Sequence, residues 1–163
     1  MPFTKLLPTS IDLAQNFTFT GTVAGAGKIG QVLQVSTKTH TTTNSTSYVD
    51  CTNMSLNITP TATSSKILAI ANFAGLFAGG TDLDAILLRI VRGSTQIGKL
   101  NNVLYKTNDD EILTCVPLTA LDSPSSSSQL TYKLQMHSRL SNNVQINADG
   151  GSDTSLTLME VLA

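Results

Sequence analysis

Short segments in which apolar and polar side chains alternate constrain the fold of this chain more than any other feature. The clearest is Thr131–His137, in which Tyr132, Leu134 and Met136 alternate with polar residues. Successive side chains of a strand point to opposite faces, so this pattern predicts a half-buried β-strand. About eight such segments are separated by clusters of turn-forming residues, and none has a convincing helical period. The chain is therefore predicted to be all-β, a two-sheet antiparallel β-sandwich or jelly roll of about eight strands.

One segment leaves the choice between strand and helix open. Residues 82–92 include Leu83, Ile86, Leu87 and Ile90 at helical spacing, and a helix here would have Thr81 as its N-cap. A strand is favoured, because a Gly-Ser turn follows directly and the surrounding segments are all β. Pro117 lies inside another strand and indicates a sheet edge or a bulge. The predicted strands cover residues 30–36, 54–58, 66–77, 85–92, 95–98, 112–118, 131–137, 144–146 and 154–161.

The segment Lys66–Phe77 is apolar on both faces of its predicted strand. One face of an antiparallel sandwich normally meets water, so a strand of this kind needs cover on its outer side as well. A neighbouring subunit is the simplest cover, and Ala69→Asp is expected to prevent assembly. The predicted subunit interface consists of Leu68, Ala69, Ile70, Phe73 and Phe77.

Residues 1–28 differ in composition from residues 29–163, the predicted jelly-roll domain. The first segment has too little apolar surface to fold alone, and a glycine-rich stretch follows its short alternating run. It is predicted to be an extended attachment arm that orders against a partner, with a disordered tail as the alternative. Its expected anchoring residues are Phe17, Phe19 and Val23.

Charge and composition exclude several classes of partner. Charged residues make up 13% of the chain and the formal net charge is −1, so the basic patch needed to bind nucleic acid is lacking. A weakly charged surface favours self-association. Apolar stretches are too short to span a membrane, and nothing resembles a signal peptide, so synthesis in a cytoplasm is expected. Cys51 and Cys115 are interpreted as two separate buried thiols.

The order of several short motifs carries a resemblance, although no single motif is specific. The stretches are Gly30–Val35, Ser47–Asp50, Ile58–Pro60, Ser64–Leu68, Leu88–Thr95, Leu121–Pro124, Thr131–Lys133 and Leu156–Glu160. In this order they resemble a jelly-roll module, from residue 28 onward, that is common in tail-fibre and other virion proteins of marine tailed bacteriophages. The module is similar in architecture to trimeric heads of the tumour-necrosis-factor type.

The resemblance implies a homotrimer without catalysis that assembles onto a virion. Fibre proteins of this kind carry the module after a long shaft, whereas 28 residues precede it here. A short fibre, a tail appendage or a capsid decoration protein is therefore expected, located on the virion surface and attached through its arm to a capsid or tail protein. The alternative is a receptor-binding module that recognises a host-surface glycan through loops beginning at Asn108 and Leu121.

No motif predicts an enzyme, a cofactor or a metal site. His40 and His137 are the only histidines, and neither lies in a metal-binding or nucleophile motif. Loop carboxylates could bind Ca²⁺ near a symmetry axis, but they are more typical of solvated turns. They are the pair Asp82 and Asp84 and the cluster Asp109, Asp110 and Glu111. The sequence therefore predicts a structural protein that is not an enzyme and needs no cofactor.

Overall fold

The computed structural model describes residues 28–79, 85–104 and 113–162. These residues form ten β-strands and no helix. The predicted arm, with Phe17, Phe19 and Val23, lies outside the described residues. The strands are β1 (Ile29–Thr37), β2 (Thr41–Thr43), β3 (Val49–Ile58), β4 (Lys66–Ala78), β5 (Ile86–Arg92), β6 (Thr95–Val103), β7 (Thr114–Asp122), β8 (Leu130–Ser138), β9 (Val144–Ile146) and β10 (Thr154–Val161).

The strands form two antiparallel sheets, which confirms the predicted β-sandwich. The first sheet has the order β1-β10-β4-β9-β2, and β7 pairs with β4 as well. The second sheet has the order β3-β8-β5-β6. Strands from the start and the end of the chain are thus neighbours in both sheets, as in a jelly roll with eight main strands. Within the described residues β7 pairs with β4 alone, so Pro117 lies on an edge strand as predicted.

The core lies between the two sheets and takes every second side chain of most strands. Tyr132, Leu134 and Met136 of β8 are all fully buried, as their alternation predicts. Leu156 and Leu158 of β10, in the first sheet, belong to the same core and are equally buried. Burying an apolar side chain of this size stabilises the fold by about 1.5–3 kcal/mol, so the inner faces dominate the stability of the sandwich.

Residues 86–92 form strand β5, which settles the choice between strand and helix for the described part of that segment. The strand pairs with β6 on one side and with β8 on the other, so its backbone groups are used in two ladders. The tight turn to β6 is made by Gly93 and Ser94, as predicted. Gly93 has a φ of +57°, a left-handed conformation that glycine adopts without steric cost.

A bulge in β4 explains why the second half of this strand is buried on both faces. Its pairing with β7 shifts between Phe73 and Leu76, and Gly75 in the bulge has a φ of +54°. Residues 73–76 are all buried, because the chain of β9 and its following turn pack directly over them. A Cβ atom on Gly75 would lie 3.0 Å from the backbone Cα of Asn147. The close approach requires glycine at this position.

Asn147 is a buried polar hub beside this bulge. Its Nδ2 donates to the backbone carbonyls of Thr37 and Thr39, each at 3.0 Å, and its Oδ1 accepts the Thr154 hydroxyl at 2.8 Å. Its backbone N–H donates to the Ala74 carbonyl at 2.9 Å. The side chain therefore joins the ends of β1 and β10 to the bulge, and every polar group involved is satisfied.

The two cysteines differ in their surroundings. Cys51 is buried in the core, as expected, and burial raises the pKa of its thiol. Cys115 is exposed on β7, so the interpretation of two buried thiols is wrong for this residue. Its neighbours Thr114 and Val116 take the inward positions of the edge strand, which leaves Cys115 on the outer side.

Candidate interaction surfaces

The outer face of the first sheet carries a row of apolar side chains that crosses four strands. The register places Val32 opposite Met159, Met159 opposite Leu68, and Leu68 opposite Leu121. Val32 is 52% exposed and Leu121 is 57% exposed, while the two middle residues are half-buried by their neighbours. We call these four residues the apolar row. A contiguous apolar surface of this kind is typical of an interaction site.

A polar row borders the apolar row on one side. The register aligns Gln34, Thr157, Ile70 and Thr119 on the same outer face, two residues further along each strand. The Gln34 amide donates to the Thr157 hydroxyl at 2.9 Å. On the other side of the apolar row, Ile29 pairs with Val161 and is 52% exposed. The apolar surface is therefore confined to one end of the sheet face.

The residues of the predicted trimer interface fall into different environments. Leu68 and Ile70 point outward and belong to the rows just described. Ala69 and Phe73 are fully buried between the sheets of the same chain, because alternate residues of β4 face the core. In this fold neither of these two can contact a neighbouring copy, and we correct the interface by removing them. Phe77 lies beyond the bulge, half-buried and paired with Gln145 of β9.

Three residues of the apolar row were missed by the sequence analysis, because they belong to strands far apart in the chain. Val32 and Met159 were interpreted only as strand residues, and Leu121 only as the start of a loop. Each carries a weak signal, an apolar residue at an outward position of an alternating segment. That signal becomes informative only when the strand register is known.

The outer face of the second sheet is polar, in contrast to the first. Its register aligns Asp50, Gln135, Arg89 and Lys99 across all four strands, and we call these residues the charged row. Gln135 donates through Nε2 to Asp50 Oδ1 at 2.5 Å and accepts from Arg89 Nε at 2.7 Å. The other carboxylate oxygen of Asp50 accepts the Lys133 ammonium at 2.7 Å. Hydrogen bonds therefore link three of the four members of the charged row.

Tyr48 lies beside the charged row and completes its local packing. The Arg89 guanidinium carbon lies 3.8 Å from the centroid of the Tyr48 ring, and the His137 ring meets that ring edge-on at 4.3 Å. Burial raises the pKa of Tyr48, although the charge of Arg89 opposes the rise. Burial works against the ionised Asp50, but hydrogen bonds from Gln135 and Lys133 outweigh it and lower the pKa. The carboxylate is thus ionised at neutral pH.

A partly buried ion pair joins the two sheets. Arg92 Nε lies 2.6 Å from Asp122 Oδ2, and the Tyr132 hydroxyl donates to the same oxygen at 2.7 Å. Asp122 belongs to the first sheet, whereas its two partners belong to the second. Burial and the hydrogen bond to Asp122 raise the pKa of Tyr132, so the phenol stays protonated. The arrangement links the two sheets, and the charges of Arg92 and Asp122 are paired with each other.

The other candidate residues either lie apart from one another or fall outside the residues that the structure describes. His40 hydrogen-bonds to Gln145 at 2.9 Å, away from His137. Asp82, Asp84 and Asp109 fall in residues 80–84 and 105–112, which the structure does not describe, as does the loop at Asn108. Among the described residues no group of three or more His, Cys, Asp and Glu side chains could hold a metal ion. Nor does this part of the chain contain a helix long and apolar enough to cross a membrane.

Comparisons with known proteins find similar structures but no family. No protein-family model matches the sequence, and no curated protein matches it. A Stig cyclase from Fischerella sp. TAU, in complex with an indole compound, shares 16% identity and a TM-score of 0.37 over 63% of this chain. A second cyclase from that organism shares 16% identity and a TM-score of 0.35 over 68%. VP2 of the infectious bursal disease virus subviral particle shares 15% identity and a TM-score of 0.42 over 96%.

This chain spans 52%, 61% and 46% of those three chains respectively. Likeness at this level concerns the β-sandwich fold alone. The sequence analysis excluded an enzyme. That exclusion is wrong, because two of the similar structures are cyclases. The likeness assigns no reaction to this chain. The resemblance to phage fibre heads stays a prediction, since no family model supports it.

Proposed function

We propose that this chain is a virion structural protein that assembles as a homotrimer through the outer face of its first sheet. The apolar row is the single observation that carries the proposal. Val32 and Leu121 leave about half of their surface in water, and they lie at the two ends of the row, on either side of the half-buried Met159 and Leu68. Burying an apolar side chain of this size is worth about 1.5–3 kcal/mol, so covering the row favours association. The apolar row supports the association, whereas the virion role and the trimeric order come from the resemblance.

A second copy of the chain is the occupant that best fits the apolar row. The four side chains of the row carry no charge, and the neighbouring row offers only short polar side chains and Ile70. The charged fraction of 13% provides little repulsion between copies. An apolar centre with a polar border is the usual composition of a subunit interface.

The N-terminal segment supplies the attachment to the particle in this proposal. Lys28 is the first described residue, and its carbonyl accepts the backbone N–H of Leu162 at 2.8 Å. The chain therefore enters the sandwich beside the end of β10, next to Ile29 and the apolar row. Phe17, Phe19 and Val23 are proposed to anchor this segment on a capsid or tail protein.

The assembly is tested by the mass of the protein in solution. A chain of 17.2 kDa should elute at three times that mass in size-exclusion chromatography with light scattering. Leu121→Asp should give a folded monomer, since the side chain is mostly exposed in the single chain and an interfacial carboxylate would be desolvated. Ser55→Asp, on an exposed position of the second sheet, is the matched control and should remain trimeric. A wild-type monomer, or a trimeric Leu121→Asp variant, would contradict this interface.

Location on the particle separates the possible structural roles. Immunogold labelling over the head is expected for a capsid decoration protein, whereas labelling at the tail is expected for a short fibre or appendage. Particles that lose the protein should still adsorb to the host if it is a decoration. A loss of adsorption would favour the receptor-binding alternative, and absence of label from the particle would refute the virion role.

A further inference from the structure

The charged row of the second sheet presents an arginine whose orientation is fixed but whose terminal nitrogens are unused. Arg89 Nε donates to Gln135 Oε1 at 2.7 Å, and the guanidinium lies over the Tyr48 ring at 3.8 Å. Gln135 is itself held by Asp50. A guanidinium held by both its Nε and its face loses little conformational freedom when its two terminal NH₂ groups bind a ligand.

The single carboxylate of the charged row is already committed to other partners. Asp50 Oδ1 accepts Gln135 and Oδ2 accepts Lys133. Among the described residues, neither terminal nitrogen of Arg89 has a hydrogen-bond partner. Lys99 lies directly opposite Arg89 in the register of β5 and β6 and is exposed. Arg89 and Lys99 therefore form a cationic pair on an open sheet face, and Asp50, whose charge also interacts with Arg89, accepts its hydrogen bonds from Gln135 and Lys133.

We propose that Arg89 and Lys99 bind the carboxylate groups of an acidic polysaccharide. Two parallel N–H donors of a guanidinium match a carboxylate in bidentate geometry, and the neighbouring ammonium adds a second charge. Gln135 and Tyr48 are positioning residues that hold the arginine. The site is an open face with a row of polar side chains, which suits an extended polymer better than a small ligand that requires a pocket.

Nucleic acid fits the same face less well. Stable binding to a phosphate backbone draws on many cations, whereas this row offers two free ones in a chain of net charge −1. Each single site is expected to be weak, and three copies in the proposed trimer would multiply its effect on a polymer. The inference places a glycan site on the face of the second sheet, away from the apolar row.

Affinity electrophoresis of the full chain through gels that contain a polymer tests the site. Polygalacturonate, which carries carboxylates, should retard the protein, whereas neutral dextran should not. Arg89→Gln and Lys99→Gln should each weaken the retardation about tenfold, the loss of one charge-assisted interaction. Arg89→Lys should recover little of the retardation that Arg89→Gln loses, because an ammonium lacks the two parallel N–H donors of a guanidinium. Lys38→Gln removes the same charge from an exposed loop and is the matched control.

Several outcomes would overturn the proposal. One is an absence of retardation by polygalacturonate, and another is equal retardation of wild type and Arg89→Gln. Equal retardation by DNA of matched charge would mean that the site binds any polyanion rather than carboxylates in particular. Retardation by dextran would mean that the site binds neutral sugars. The monomeric Leu121→Asp variant should keep its affinity for a short galacturonate oligomer. Failure of the trimer is thereby distinguished from failure of this site.

Discussion

Glu160 offers a sharp test of how this fold is held together. The residue is fully buried on β10 although it is an acid. Its Oε1 accepts the backbone N–H of Thr61 at 2.6 Å and the hydroxyl of Thr61 at 2.7 Å, while its Oε2 accepts the Gln31 amide at 2.8 Å. The carboxylate thus ties β1 and the turn between β3 and β4 to the end of β10. We predict that Glu160→Gln destabilises the protein at neutral pH.

The size of the effect follows from the pKa. Burial by itself would raise the pKa of Glu160, but the hydrogen bonds from Gln31 and Thr61 outweigh it and lower the pKa from 4.5 to about 2. A shift of that size corresponds to about 3 kcal/mol of stability from the ionised form. Because the folded-state pKa is depressed, this contribution is complete above pH 4.5 and is lost as the pH falls to about 2. In Glu160→Gln the contribution is absent at every pH.

Urea unfolding at a fixed protein concentration, repeated between pH 2 and pH 7, measures both consequences. The variant should be less stable by about 3 kcal/mol at pH 7, and the two stability curves should converge near pH 2. Asp153→Asn, the same chemical change at an exposed position, should stay within about 0.5 kcal/mol of wild type throughout. Parallel curves for wild type and Glu160→Gln between pH 2 and 4.5 would refute the reasoning.

Further predictions concern the bulge, the inter-sheet ion pair and the polar hub. Gly75→Ala should lower the free energy of unfolding by about 2–4 kcal/mol in chemical denaturation, because left-handed backbone strain adds to a backbone contact at 3.0 Å. Gly93→Ala is the control and should lower it by about 1 kcal/mol, since nothing lies within 4 Å of its Cβ position. Equal costs would argue against the close approach. Tyr132→Phe should lower the free energy of unfolding by about 1–2 kcal/mol, because Asp122 loses one hydrogen-bond donor but keeps its ion pair. An unchanged free energy of unfolding would mean that this hydrogen bond does not stabilise the fold. Asn147→Asp should lower the free energy of unfolding by about 3 kcal/mol or more, because a carboxylate would face two backbone carbonyls. A melting temperature equal to that of wild type would contradict the stabilising role of Asn147.

Much of the fold could be predicted because its signals are local. The alternation of Tyr132, Leu134 and Met136 reports which side of a strand faces the core, and Gly93 with Ser94 reports the turn. Such patterns depend on the geometry of a few consecutive residues, so a single chain displays them. The class of the fold, two sheets without a described helix, followed from repeating these signals along the chain.

The surfaces could be predicted only in part. The segment around Leu68 was correctly interpreted as apolar on both faces, but Ala69 and Phe73 were assigned to an interface when they belong to the core. The bulge at Gly75 shifts the alternation within β4, and nothing in the local pattern of that segment reports the shift. The burial of Glu160 was equally invisible, since its partners lie 99 and 129 residues away.

The sequence by itself therefore determined most of the strands, although not Thr41–Thr43, together with the turn and the inward residues of the β8 strand. The tertiary structure alone decided which outward residues meet, both in the apolar row and in the charged row. Each row takes one residue from each of four strands, and a shift of one residue in any pairing would turn that strand's members to the opposite face. Register depends on contacts between distant segments, so these surfaces exist only once the chain has folded.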